Sequence, residues 1–316
     1  MKKWHLFLLL IILSIISLLV GVIDISLGGI LSLKTDDIQI LLLSRLPRLI
    51  SIITAGAGMS ISGLIMQQLS RNKFVSPTTA ATEDSAKLGV LAAMILFPAM
   101  GSFYTMIVSF IFSIGGTYLF MLIIRKVKFK NLVYVPLIGI MLGNVIGSIS
   151  TYLAYSYDVV QNISSWLLGD FSMIIKGRYE LLYISIPLIV IAFIYANKFT
   201  IAGMGEDFAK NLGLNYKQVM NIGLIIVSLI SSLVIITVGK IPFLGLVVPN
   251  MVSLLKGDNT KENISVTALF GAIFLLVCDI FGRLIIYPYE LSISLTVGII
   301  GSIIFLYLII RGKSNG

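Results

Sequence analysis

Long apolar runs alternate with short polar breaks along nearly the whole chain. A helix that crosses a bilayer needs about 20 apolar residues. Ten runs meet or approach that length, at 6–26, 47–69, 84–100, 102–124, 132–156, 180–197, 218–238, 242–255, 264–282 and 291–310. Two depart from the pattern. The third opens on Glu83, Asp84 and Lys87, and the eighth is short and carries Pro242 and Pro249. Broken helices of this kind are tolerated at membrane depth where protein covers them or where they line a water-filled cavity. The pattern therefore predicts an all-α polytopic membrane protein of about ten transmembrane helices, folded as a single transmembrane domain over 1–316. No stretch is long and polar enough for a soluble domain.

Composition agrees. Charged residues make up 12% of the 316 residues and mean hydropathy is +1.04, whereas soluble domains carry roughly 25% charged residues. The start, MKKWHLFLLLIILSIISLLVGVI, is a basic stretch followed by a long apolar core without a small-residue cleavage site. It reads as an uncleaved first span.

An even number of spans puts both termini on one side. Fifteen of the Lys and Arg residues, those of the two ends included, fall on that side, RKVKFK at 125–130 foremost, against seven on the other. Positively charged loops stay in the cytoplasm, so both termini are expected there. The same rule accounts for the net charge of +9 without any nucleic-acid partner. Cys278 and His5 are single residues of their kind, which excludes a disulfide framework and a His/Cys metal site within one chain. The GKS at 312–314 is not a phosphate loop: Tyr307 stands where its first glycine belongs.

Four stretches carry candidate chemistry. RLPRLIS at 45–51 puts Arg45 and Arg48 at the mouth of a span, on the side where the charge rule disfavours them. In 277–291, Asp279 and Arg283 are spaced to pair on one helix face, with Glu290 beyond. Three arginines at span ends fit either interfacial anchoring or a landing site for an acidic protein surface, and charge reversal of Arg45 and Arg48 is expected to leave folding intact. In 202–221, Gly205 ends one element and Glu206 and Asp207 open a short helix. Phe208 and Leu212 share a face of it, and Gly213 stops it. That helix is either interfacial or a dock for a soluble partner. Gly139, Gly143 and Gly147 form a doubled G-x-x-x-G beside Asn144, which suits close helix packing. Glu83 and Asp84 are either a structural cluster with Lys87 or part of a polar path.

These motifs resemble the permease subunit of the ABC importers for iron–siderophores, haem and vitamin B12. The resemblance runs over nearly the whole chain, through RLPRLISIITAGAGMSISGLIMQQLSRNKFVSP (45–77), GEDFAKNLGL (205–214), FLGLVVPN (243–250) and DIFGRLIIYPYELSISLTVGIIGSIIFLYLI (279–309). Departures are Asn250 for the family's His, Ser253 for an Arg, NKF (72–74) for NPL, and Ser292 for a proline. SPTTAATEDSAKLG and LGLVVPN are more similar to the branch that serves petrobactin and other catecholate siderophores.

The resemblance implies the fold of type II ABC importer permeases and a multi-pass protein of a bacterial cell membrane. The Ile- and Lys-rich composition points to a Gram-positive host. Implied partners are a second permease as homodimer or heterodimer, two cytoplasmic ATPases that bind the ATP and Mg, and an extracellular lipoprotein binding protein. This chain itself is expected to be non-catalytic and without cofactor. Arg45, Arg48 and Arg283 would dock the binding protein. Gly205, Glu206, Asp207, Phe208, Ala209, Leu212 and Gly213 would couple to the ATPase. Gly139, Gly143, Asn144, Gly147, Glu83 and Asp84 would serve the translocation path or helix packing. The competing reading is an ion-gradient-driven secondary transporter using Glu83, Asp84 or Asp279.

Overall fold

The computed structural model describes residues 3–21, 35–99, 101–126, 134–161, 167–177, 179–257 and 259–313. Parts of the expected positive anchors, 127–130 among them, lie outside the described residues. The helices are α1 (Lys3–Leu19), α2 (Thr35–Ile40), α3 (Leu46–Ser70), α4 (Thr82–Leu96), α5 (Ser102–Lys126), α6 (Tyr134–Ser156), α7 (Ser185–Gly203), α8 (Glu206–Asn211), α9 (Tyr216–Thr237), α10 (Leu244–Lys256), α11 (Thr260–Leu284) and α12 (Ile293–Lys313). Among the described residues the sole β contact is one parallel bridge, Leu168 to Lys240.

Each of the ten predicted segments overlaps one of these helices. Among the described residues seven helical stretches are long and apolar enough to cross a membrane, and α1, α4 and α10 are shorter, at 17, 15 and 13 residues. Several boundaries shift by a few residues, and one shift bears on the arginines. The helix predicted to begin at 47 is continuous with a π-turn, Leu41–Arg45, and with α2 before it. Arg45 and Arg48 are therefore inside a helical run and not at its mouth.

α3 is the centre of the bundle. It packs against α7, α9, α10 and α11, and its buried face is built from Ala55, Gly56, Gly58, Ser60, Ser62 and Gly63 among larger apolar residues. Without a hydrophobic driving force between helices in lipid, such small residues let backbones approach and gain dispersion contacts. The approach is close: a Cβ on Gly56 would lie 2.9 Å from the Cα of Ala272, and one on Gly63 would collide with the backbone of Gly245. The outer helices α5, α6 and α12 bury less than a third of their apolar windows and turn the rest outward.

α4 starts halfway along the bundle. The chain leaves α3 through Arg71 in the left-handed conformation and folds back over 72–81. There Asn72 accepts from the Phe74 N–H, and Ser76 bonds to Thr78 and Thr79. Ala81, also left-handed, turns it into α4. The Thr82 hydroxyl accepts from Thr117 at 2.8 Å. Thr117 lies about 14 Å along α5 from Lys126 and about 22 Å from Ser102, at about 1.5 Å per residue. α10 is likewise a short helix, entered through left-handed Phe243.

Candidate functional sites

Two predicted sites lie at opposite ends of α3, about 35 Å apart by helix rise. Arg48 is near its start. Arg71 is at its end, with its guanidinium 3.4 Å from where a Cβ on Gly205 would stand.

At the Arg48 end the structure gathers Arg45, Arg48 and Arg283, as the sequence predicted, but turns them inward. Arg45 is 8% exposed and Arg283 4%. Arg45 donates to the carbonyls of Leu18 and Val20. Arg283 donates to the carbonyls of Ser17 at 3.0 Å and Val20 at 2.6 Å and to the Ser17 hydroxyl at 2.6 Å. The last carbonyls of a helix have no partner within it, so two cations, Arg45 from the π-turn before α3 and Arg283 from α11, close the C-terminal end of α1 and match its dipole. Arg48 bridges Asp279 and Glu290, each at 2.7 Å. Asp279 also meets Arg283 at 2.6 Å, with both side chains 3% exposed. The predicted Asp279–Arg283 pair is thus present, and Arg48 completes it as a triad.

This geometry corrects the expectation that charge reversal at Arg45 and Arg48 would leave folding intact. A glutamate at 48 would face Asp279 and Glu290, and one at 45 would face carbonyl oxygens. Above the triad is an open cavity of about 540 Å³ lined by Arg45, Arg48, Arg283, Glu290, Gln39 and Ser172. Sequence reasoning missed that the α1 carbonyls and Glu290 were the partners, because nothing local in the chain links residue 20 or 290 to residue 45 or 48.

At the other end, α8 has the predicted form. Gly205 adopts φ +119 and Gly213 φ +76, backbone conformations that glycine enters without a Cβ penalty. Ala209 is buried while Phe208 and Leu212 are 49% and 59% exposed on the outer face. Glu206 and Asp207 are exposed in the first turn, and Glu206 pairs with Lys210 at 2.8 Å. The hydrogen bond from Lys210 holds the Glu206 carboxyl below its ordinary range. This small helix is tethered through Ala209 and offers two apolar side chains to whatever covers it.

The third group lies between these ends. Glu83 and Asp84 open α4, but Asp84 pairs with Lys240 at 2.7 Å and not with Lys87. Lys240 lies between α9 and α10, where its backbone is held by the Leu167 carbonyl and the Ser294 hydroxyl. Glu83 is 1% exposed, and neither of its oxygens has a hydrogen-bond donor. Lys240 falls in the short break between the 218–238 and 242–255 segments, which the pattern alone does not mark as a site. The signal that could have found it is the cluster of breakers around it, Gly239 and Pro242.

Two of the three α6 glycines serve packing here. A Cβ at Gly139 would strike the Thr79 carbonyl and one at Gly143 the Asp84 carboxylate, while Gly147 has nothing within 4 Å. Asn144 is exposed beside them. Asp279 belongs to the triad at the Arg48 end, whereas Glu83 and Asp84 stand at the start of α4.

Comparison with known proteins agrees with this architecture. Residues 9–311 match the FecCD transport family. The chain is 58% identical over 314 residues to the petrobactin import system permease protein YclN of Bacillus subtilis, covering 99% of each. It is 39% identical over 269 residues to the ferric-anguibactin transport system permease protein FatD of Vibrio anguillarum, covering 85% of this chain and 86% of that one. A solved structure described as an inward-facing conformation of a metal-chelate type ABC transporter superposes with a TM-score of 0.83 at 24% identity over 98% of both chains, a likeness in fold. On the match of nearly its entire length, the chain belongs to the FecCD transport family.

Proposed function

We propose that this chain is the membrane permease subunit of an ATP-driven importer that moves a ferric siderophore of the petrobactin or catecholate type into the cytoplasm. The observation that carries the reading is the 58% identity, over 99% of both chains, to a petrobactin import permease. The chain has no chemistry of its own in this reading. It pairs with a second permease, the same or a different one. A binding protein delivers the chelate outside, and two ATPase subunits bind and hydrolyse ATP below.

The α8 helix is the coupling element. Its exposed Phe208 and Leu212 would insert into an ATPase groove, and its anchoring through Ala209 would pass the motion of ATP-driven closure to α7 and α9. The cavity floored by Arg45, Arg48 and Arg283 would receive an acidic side chain of the binding protein, so docking would use the cavity rim and not three free arginines. With both termini cytoplasmic, as the charge rule expects, these two sites face opposite compartments.

The test is uptake of an iron-55-labelled catecholate chelate into proteoliposomes containing the assembled complex. Uptake should require ATP inside and loaded binding protein outside. Uptake that proceeds without ATP and collapses with an uncoupler would overturn the reading in favour of secondary transport.

A further inference from the structure

The group at the start of α4 is a charged site halfway across the bundle, and it is open on one side. A Cβ at Gly143 would meet the Asp84 carboxylate, so the two are in contact. Gly143 lies about 14 Å along α6 from Tyr134 and about 20 Å from Ser156. Yet the Asp84 and Lys240 side chains remain 21% and 37% exposed, and Lys87, one turn along α4, is half-buried. Charged side chains at such depth do not face lipid. They face protein or a water-filled space.

A second observation gives the direction of that space. From Asn144 onward α6 carries exposed Ser148 and Thr151, at spacings of four and three that align them on one helix face. The stripe starts one residue after Gly143, where Asp84 rests, and the Ser148 and Thr151 hydroxyls bond back to the carbonyls of Asn144 and Gly147. A third observation concerns the wall behind it. Glu83 is buried with both oxygens lacking donors and acts electrostatically on Lys240, as does Asp84. Lys240 thus has two carboxylates acting on it, bonds one of them, and keeps a side chain that is 37% exposed.

We propose that Lys240 and Lys87 form a mid-membrane contact site for the anionic oxygens of the transported chelate, with Asp84 and Glu83 positioning Lys240 beside the path. This rests on the importer reading above and adds to it where the cargo touches the chain. Iron(III) held by deprotonated catecholates is a net anion, which would be repelled by a bare dipole-poor channel and attracted by two ammonium groups. The pairing with Asp84 keeps that attraction weak enough for release.

The experiment compares iron taken up per ATP hydrolysed in proteoliposomes, with binding protein loaded with an iron(III) tris-catecholate chelate. The double variant Asp84→Asn with Lys240→Gln removes the ion pair without leaving either charge alone. The expected result is a roughly tenfold fall in the ratio, with Lys240→Arg retaining most of it. Lys87→Gln, which breaks no ion pair seen among the described residues, should lower the ratio severalfold and carries the test if the double variant does not assemble. A ratio within about twofold of the unmodified complex in the double variant, or in Lys87→Gln where the double variant does not assemble, overturns the proposal. If the unmodified complex itself shows no ATP-dependent uptake of the chelate, the importer reading falls and this inference with it.

Discussion

Arg48 and Asp279 stand 231 positions apart in the sequence, and their side chains meet at 2.7 Å. The bond ties the start of α3 to α11, and Arg283 on the same carboxylate extends it to the end of α1. Two acids, Asp279 and Glu290, therefore balance Arg48 and Arg283, with Asp279 shared between them.

Removing that acid should be severe. Breaking a buried ion pair by deleting one partner costs about 3–5 kcal/mol, because the other charge stays buried. Asp279→Asn is expected to lower the midpoint of thermal unfolding in detergent sharply. Glu290→Gln should cost less, since the Glu290 side chain is 21% exposed and Arg48 keeps Asp279. Equal melting temperatures for the two variants, measured by size exclusion after heating, would contradict this ranking.

Charge reversal and neutralisation should separate at Arg48. Arg48→Glu sets a third acid against Asp279 and Glu290 and is expected to abolish monodisperse protein. Arg48→Gln leaves Asp279 paired with Arg283 and should assemble. Under the docking proposal it binds the loaded binding protein about tenfold more weakly, as removing one charge pair at an interface does. Unchanged affinity of Arg48→Gln in surface-immobilised nanodiscs would remove Arg48 from the dock.

Phe208→Ala with Leu212→Ala should leave the isolated permease as stable as before, since both side chains are on the surface. It should weaken ATPase association by about ten- to a hundredfold, the loss expected when apolar interface anchors are truncated. The readout is co-elution of the ATPase at a series of concentrations, and undiminished co-elution would sink the coupling role.

The Glu206–Lys210 pair gives a pH expectation with a definite sign. The folded carboxyl titrates below its ordinary range because Lys210 donates to it. Its contribution to α8 is present above the ordinary glutamate range and is lost as pH falls through the depressed value. Both side chains are exposed, so the effect is small and screened by salt. ATPase association should be flat across neutral pH, and a change centred there would point to a different group.

Glycines in α6 should differ by position. Gly139→Ala and Gly143→Ala push a methyl into the Thr79 carbonyl and the Asp84 carboxylate, and overpacking of this kind costs roughly 1–3 kcal/mol. Gly147→Ala enters open space and should change stability by less than about 0.5 kcal/mol. A thermal shift series of the three in detergent decides it.

The apolar runs, the breaks between them, and the Gly205–Gly213 helix could be read directly. Each depends on local physics: span length, glycine's access to positive φ, and i, i+4 spacing on one face. Asp279 with Arg283 was legible for the same reason, being a contact within one helix. Lys240 was not, because a loop that looks external by its place between two spans dips into the bundle, and only the packing of α4 and α10 as short helices reveals its depth.

Local physics in the chain is enough to place it in a membrane, to locate its helices approximately, and to mark the residues costly enough in lipid to need a reason. The reason itself comes from contacts between distant parts of the fold. Arg45, Arg48 and Arg283 read as a surface because an isolated arginine at a span end favours water. In the fold, α1 brings its unpaired carbonyls and α11 its aspartate, and these partners outweigh hydration. Charge in a low-dielectric setting is governed by what stands within a few ångströms of it, and distance in the chain says nothing about that.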